Sequence, residues 1–508
     1  MAQDQFSKKY ADRVLGTLSG FDRLLLKGIL MLVSSPAGLQ HWLTQQGILR
    51  HQFLSWAEPL SKKLRLHGQE AARKAGRPYQ FVGSSKVRKE TLVEQIRQRD
   101  GVREGLVCVL AAMEPCWTYN LVGPNRRDLV RDVRKCLFLY FYLVHREFGL
   151  LHVRLQTWFP FDIQVCLNGR EWLARQMDQA GLKYEREDNC FVWLEDPQRA
   201  QQLSDRQARI HWSRKLKSLA EQANPLLSEV LKDLSYYWTV RQGEYAIDVM
   251  FRSRQDLAAI YPQLTRHAIE HFHSEDVLRF LGVKQPRQYQ GQRVESDLKR
   301  RLEGVRVRHQ VMENGLKMYD KQGRVLRVEL TINNPVRFRV FRRDGHDRLR
   351  WMALRRGTVD IRRRVEISRA VIGRYLEALA SIPEGRPAAE ILDPVSRPVM
   401  AGPRRFRALR PVAPEESRVL AVLLHGEGLV QGFGNRELRT LLFPDADPEP
   451  VAAHSGKVTR LLRLLRAHHL IRKVTGMNRY QITPRGIGVC STALRLRHSD
   501  VHQLPTAA

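Results

Sequence analysis

The chain has 508 residues, 85 Lys and Arg against 53 Asp and Glu, a formal net charge of +32 and a pI near 10.4. That length exceeds what one hydrophobic core organises, so three or four folding units are expected, and the positive surplus favours a phosphate-rich partner over small acidic molecules. No apolar run reaches the roughly 18 residues a membrane span needs, and the opening MAQDQFSKKYADRV has no secretion-signal pattern, so a cytoplasmic, nucleoid-associated protein with no membrane partner is expected.

Residues 1–78 carry apolar and basic residues at helical spacing (FDRLLLKGILMLV, GLQHWLTQQGILRHQFLSWAEPLSKKL) and read as a helical lead-in. Residues 79–200 read as an α/β sheet unit. It opens with a βαβ pattern, YQFVGSSKVRKETLVEQIRQRDGVREGLVCVLAAM, in which the turn Gly83, Ser84, Ser85, Lys86 offers either a phosphate nest or an ordinary N-cap at Ser85. Consecutive strands follow: WTYNLV, CLFLYFYLVH, LLHVRLQTWF and DIQVCL. Period-two alternation puts Leu151, Val153 and Leu155 on one face and His152, Arg154 and Gln156 on the other, while Asp162, Gln164 and Asn168 oppose Ile163, Val165 and Leu167.

Residues 201–383 read as a second α+β unit with an Arg-rich segment. SYYWTVRQGEYAIDVMF suggests a hairpin around Gln242 and Gly243, with Glu244 and Asp248 on its polar side. In the helical stretch after it, His267 and His271 stand four apart, a ligand spacing, but no third ligand is near and a polar helix face is expected. VRVRHQVMENGLKMYDKQGRVLRVELTI then reads as three antiparallel strands turning at Asn314–Gly315 and at Gln322–Gly323. Leu326, Val328, Leu330 and Ile332 face a core whatever the turn. A two-residue turn at Gln322–Gly323 puts Asp320 on the face of Arg327 and Glu329, whereas a three-residue loop puts Tyr319 and Lys321 there. Between 337 and 364 stand eleven arginines against three aspartates, a strong phosphate-binding composition, before a closing helix with Tyr375.

Residues 384–413 are Pro-rich and basic and read as a linker. Residues 414–508 have the order helix, helix, helix, basic hairpin, helix, which is that of a winged helix-turn-helix, with Gly426 and Gly428 in the first inter-helix turn. In the third helix Val458, Leu461, Leu462 and Leu465 take the core side, leaving Lys457, Arg460, Arg463 and Arg466 outward to reach a DNA major groove. Arg472, Lys473, Asn478 and Arg479 would form the wing. The six cysteines (Cys108, Cys116, Cys136, Cys166, Cys190, Cys490) include no CxxC pair and read as reduced core residues.

The MYDK of one strand and the LRVEL of the next resemble the Tyr-Asp-Lys and Leu-Arg-x-Glu pairing of phage and plasmid rolling-circle replication initiators, and the chain as a whole is similar to bacterial proteins that carry a C-terminal winged helix. The initiator resemblance implies a nicking site drawn from Tyr319, Asp320, Lys321, Arg327 and Glu329, in which Glu329 helps hold a divalent cation such as magnesium and a tyrosine attacks the phosphodiester. The histidine-hydrophobe-histidine metal motif of many such enzymes is absent.

The expected fold is therefore mixed α/β and multidomain, with a central, largely antiparallel sheet region and a C-terminal winged helix. The expected function is sequence-specific DNA binding by a replication-initiator-like or mobile-element protein; for the central hairpin, strand nicking and an ordinary cross-strand ion-pair ladder are both open readings. Two alternatives stand beside it: a non-catalytic winged-helix transcriptional regulator, and an RNA-binding protein using exposed aromatics such as Tyr140 and Tyr142. Convergence of Asp162, Asp248, Asp320 and Glu329 in one cleft would favour the enzyme.

Overall fold

The computed structural model describes residues 5–84, 86–123, 128–282, 294–301, 304–382, 388–424, 432–443, 451–474 and 478–499. The strand that organises the molecule is β1, Val14–Leu30, in the stretch expected to be helical. Its second half buries Leu24, Leu26, Gly28 and Leu30 and turns Arg23, Leu25, Lys27 and Ile29 to the other side. That period of two beats the local leucine run, because a strand flanked by neighbours on both edges buries more apolar surface than an isolated helix would. The helical lead-in is corrected accordingly: helices follow β1, at Pro36–Gln45 and Phe53–Lys74, and do not contain it.

Next come β2 (Tyr79–Phe81), the helix Lys89–Arg99, β3 (Gly105–Val122), β4 (Asp128–His145), β5 (Gly149–Gln156), β6 (Ile163–Asn168) and the helix Gly169–Gln179. A small hairpin, β7 (Tyr184–Glu187) and β8 (Cys190–Leu194), precedes β9 (Tyr236–Phe251). After the helices Arg254–Glu270 and Ser274–Phe280 come β10 (Val294–Arg301), β11 (Gly304–Val311), β12 (Asn314–Lys321) and β13 (Val325–Ile332). Eleven of these strands form one sheet in the order β10-β11-β12-β13-β9-β1-β6-β5-β4-β3-β2. Only the β2–β3 pair is parallel, the product of the βαβ unit; the other neighbours are antiparallel.

Strands from 1–78, 79–200 and 201–383 thus share one sheet and one main core, which extends from Phe6 to Ile382. The hairpin expected at Gln242 and Gly243 is instead continuous strand, paired along its length with β1. Tyr140 and Tyr142 are buried beneath the helix side of β3 and β4, so they offer no stacking surface. His267 is likewise buried, against His271, rather than on a polar face, because the helix Arg254–Glu270 packs that side into the core. The helix after the Gly-Ser turn starts at Lys89 with Arg88 as its N-cap and no capping side chain; Ser85 lies outside the described residues.

The 384–413 stretch is not a free linker. It contains the helix Ala388–Leu392 and the strand pair Val399–Ala401 and Arg404–Phe406, and Leu392, Val395 and Leu409 are buried in a separate C-terminal core. That core is completed by the helices Pro414–Leu424, Asn435–Leu442 and Val451–Ala467, the strand pair Ile471–Lys473 and Tyr480–Ile482, and the helix Pro484–His498. Gly426 and Gly428 lie outside the described residues. The six cysteines are free, and among the described residues no helix is long and apolar enough to cross a membrane.

Candidate functional site

The register of β12 on β13 decides the chemistry of one sheet face. Lys321 pairs with Val325, which leaves a three-residue connection in which Gln322 (φ 59°) and Gly323 (φ 70°) are both left-handed. Tyr319 therefore stands opposite Arg327, and Lys317 opposite Glu329, with their side chains on one face. Asp320 goes to the other face. Its Oδ1 accepts a 2.8 Å hydrogen bond from the Gly323 N–H, and burial pushes its carboxyl above the ordinary value, so Asp320 caps the turn and takes no part in the cluster. Leu326, Val328, Leu330 and Ile332 are buried, as the alternation requires.

Arg327, 1 % exposed, is the hub. Its Nε and Nη2 donate to the two oxygens of Asp248 at 2.6 and 2.9 Å, Nη1 donates to Asp22 Oδ1 at 2.9 Å, and Nη2 also donates to the Asn189 carbonyl at 2.9 Å. Asp248 lies opposite Arg327 on β9 and receives a second cation, Arg170, at 2.9 Å from the helix Gly169–Gln179. Burial acts to raise the Asp248 carboxyl, but Arg170 and Arg327 outweigh it and hold the group below the ordinary carboxylate range. Glu329 obeys the same balance. Burial would raise it, and Lys317 (Nζ at 2.7 Å) with the Tyr319 hydroxyl (2.9 Å) pulls it below its usual value. Burial and the Glu329 charge push the Tyr319 phenol well above its own.

Asp22 reaches this face because of an irregularity. Phe21 pairs with Tyr245 and Arg23 with Glu244, so Asp22 is the extra residue of a β-bulge, the device by which a strand re-aims a single side chain. It meets Arg327 and accepts from Asn189 Nδ2 at 2.7 Å, at the tip of the β7–β8 hairpin. Glu244 accepts from Arg23 (3.2 and 3.3 Å) and from Gln242 Nε2 (2.6 Å). The result is that oxygens of Asp22, Glu244 and Glu329, from three adjacent strands, lie within 4.8 Å of one another. Three carboxylate oxygens at that spacing are a donor set for a hard divalent cation. In the network four carboxylates, Asp22, Glu244, Asp248 and Glu329, face four cations, Arg23, Arg170, Lys317 and Arg327, so it is electrically balanced as it stands.

Beside the triad lies a polar cavity of about 130 Å³ lined by Arg306, Lys317, Tyr319, Asp320 and Lys321 together with Gly304 and Val305. Arg306 is 8 % exposed, stands opposite Tyr319, and bonds Asp297 through Nη2 at 3.4 Å, while its Nε is buried with no hydrogen-bond partner. Lys321 reaches Asp188 at 2.8 Å. The cavity wall thus carries three cationic side chains, Arg306, Lys317 and Lys321, and one carboxylate, Asp320, beside the three convergent carboxylates.

Of the four carboxylates whose convergence was at issue, only Glu329 belongs to the triad; Asp248 shares its sheet face but is fully buried between Arg170 and Arg327. Asp162 pairs with Lys27 at 2.5 Å, beyond the far end of the cluster. Tyr375 is fully buried among Phe272, Phe280 and His309, its hydroxyl 3.3 Å from His309 Nε2, and is a core residue. Asp22, Asn189 and Arg170 escaped the sequence reading. The stretch FDRLLLKGIL that holds Asp22 was read as helical, so no local signal pointed to their meeting.

In the C-terminal unit, Lys457, Arg460, Arg463 and Arg466 are all exposed along one side of Val451–Ala467, while Val458, Leu462 and Leu465 are buried and Leu461 half-buried. Lys473 and Asn478 are exposed, Arg472 donates to Gln481 at 3.0 Å, and Arg479 is drawn back onto Glu437 (2.8 Å) and the Gly432 carbonyl (2.7 Å). No protein-family model matches the chain, and neither a curated protein nor a solved structure matches it.

Proposed function

We propose that this is a DNA-binding protein of the replication-initiator or mobile-element kind, which cuts a DNA strand with a divalent cation held by Asp22, Glu244 and Glu329. The observation that carries the reading is the convergence of those three carboxylates beside a basic cavity on one sheet face. Bound there, magnesium or a similar ion would supply Lewis-acid stabilisation of the phosphodiester charge. Arg306 and Lys321 would orient the phosphate in the cavity. Tyr319 is the nucleophile in this reading. Its oxygen bonds to phosphorus as the bond from phosphorus to the departing strand oxygen breaks; Glu329 orients the hydroxyl by accepting its hydrogen bond, the phenol proton leaves to bulk water, and the departing oxygen takes a proton from the Lys317 or Lys321 ammonium.

The C-terminal unit is read as a winged helix. The order of three helices, a hairpin and a capping helix, and the stripe of Lys457, Arg460, Arg463 and Arg466, support duplex DNA as its partner. One observation favours the non-catalytic regulator: each carboxylate of the cluster already has a cation, so the network is self-sufficient as a structural lattice. RNA binding by Tyr140 and Tyr142 loses its support because both are buried.

Supercoiled and single-stranded DNA incubated with wild type, Glu329→Gln and Tyr319→Phe, with magnesium or manganese, separates the readings. Metal-dependent cleavage and a covalent protein–DNA adduct are expected of wild type, no adduct from Tyr319→Phe, and loss of cleavage with duplex binding retained in Glu329→Gln. Absence of cleavage by wild type with every divalent cation tried would leave a binding protein.

A further inference from the structure

Beyond β13 the Arg-rich segment forms a two-stranded hairpin, β14 (Arg339–Arg343) and β15 (Leu349–Ala353), outside the main sheet. Its two faces differ sharply. The inward one carries Val340, 6 % exposed, and Arg342, 8 % exposed, the latter paired with Asp360 at 3.2 Å. Asp360 in turn accepts from Arg363 and from the Arg355 N–H, so the root of the hairpin is fixed by charge as well as packing. The outward face carries Arg339, Phe341 and Arg343 on one strand and Leu349 and Trp351 on the other. Phe341 and Trp351 are direct cross-strand partners, with ring centroids 5.5 Å apart, and are 52 % and 67 % exposed.

A side-by-side Phe–Trp pair open to water is costly to display, and among the described residues none covers it: each ring stays more than half exposed. Its surroundings point to the partner. Among the described residues Arg337 and Arg339 make no ion pair, and the pairings of Arg343 with Asp347 and Arg350 with Asp344 are solvent-exposed on the arginine side. Adjacent rings flanked by exposed guanidiniums, two of them without an ion pair, fit a strand whose bases are unpaired, because such bases present π-faces for stacking while their phosphates take the arginines. A duplex hides those π-faces in its own stack. We propose that the β14–β15 hairpin is a binding surface for single-stranded DNA, with bases stacking on Phe341 and Trp351.

Its position connects it to the site above. The chain leaving the hairpin pairs with β9, where the Val240 N–H donates to the Arg356 carbonyl and Thr239 bridges Gly357. Glu244 lies five residues further along the same strand, about 17 Å at the rise of a β-strand. The hairpin is thus tethered to the strand that carries Glu244. The inference rests on the reading of DNA as partner but not on cleavage.

The test uses full-length protein in EDTA, so that cutting plays no part, with labelled oligo(dT), the same length of abasic strand, and duplex. The double variant Phe341→Ala/Trp351→Ala should bind oligo(dT) at least about tenfold more weakly, while its duplex affinity stays within about twofold of wild type. Wild type should lose the same factor on the abasic strand, and Phe341→Tyr/Trp351→Phe should restore binding. Melting temperatures confirm that each variant is folded. Equal affinity of wild type and the alanine variant for oligo(dT) would overturn the proposal, as would equal losses on single strand and duplex. A wild-type dimer in sedimentation that the alanine variant abolishes, with oligo(dT) affinity unchanged, would assign the face to a second copy of the chain instead. Retained duplex binding with no single-strand preference sinks this inference alone; loss of all DNA binding by wild type sinks the reading beneath it.

Discussion

The central sheet and the helix Val451–Ala467 use charge in opposite ways. In the sheet, Arg327 and Asp248 are each almost completely enclosed, and their partners are fixed by strand register and a bulge. On the helix, Arg460, Arg463 and Arg466 stand exposed in a row, placed there by the apolar residues between them. Buried charge costs desolvation and is tolerated only with near-complete pairing, so it specifies geometry; exposed charge costs little and specifies only attraction. Charge of the first kind suits fixed geometry, and charge of the second kind suits long-range attraction of a polyanion.

Removing the hub should break the contrast most visibly. Arg327→Met keeps the side-chain length but leaves Asp22 with only Asn189 and Asp248 with only Arg170, and a loss of about 3–5 kcal/mol is expected from urea unfolding. A loss under about 1 kcal/mol would mean that the network relaxes and its geometry is not enforced.

Acidification gives the next effect, and it too is confined to the sheet body. Burial depresses His152 to about 4, His267 to about 3 and His309 to about 4. Each is therefore neutral when folded at a pH where the unfolded chain is protonated. The stability each contributes is complete above about pH 6.5 and is lost as pH falls from there toward the folded value, at about 1.4 kcal/mol per unit. Calorimetry at pH 7, 6 and 5 should show that fall, and His309→Gln should make it shallower. A flat profile would show that these rings have access to water.

The smallest stability effect, and the one that sharpens the comparison, comes from reversing the helix charges. Arg460→Glu/Arg463→Glu should change unfolding free energy by no more than about 0.5 kcal/mol while duplex affinity falls, the slope of log affinity against log salt dropping by about 0.9 per lost phosphate contact. Unchanged affinity would remove this helix from the interface.

The extent to which the site was legible follows the range of the interactions that build it. Periodicity exposed the β12–β13 strands, the buried set Leu326, Val328, Leu330 and Ile332, and the outward set Lys457, Arg460, Arg463 and Arg466, because side-chain direction repeats every two or 3.6 residues from local backbone geometry alone. The same local rule failed at FDRLLLKGIL, where a run of leucines satisfies helix and strand alike and only burial between β9 and β6 selects the strand. Which residues of the YDK motif join Glu329 also lay beyond it, since one residue of turn length exchanges Asp320 for Tyr319 and Lys321. Asp22 and Glu244, 222 positions apart in number, meet Glu329 only through the order β13-β9-β1 and a bulge in β1. Composition and periodicity thus determined the charge and, where one period dominates as in β12, β13 and Val451–Ala467, the kind of element and its inward face. The meeting of the three carboxylates, the cavity beside them and the exposed pairing of Phe341 with Trp351 were decided by strand order and register, which are set by the packing of the whole chain and leave no trace in any local window of sequence.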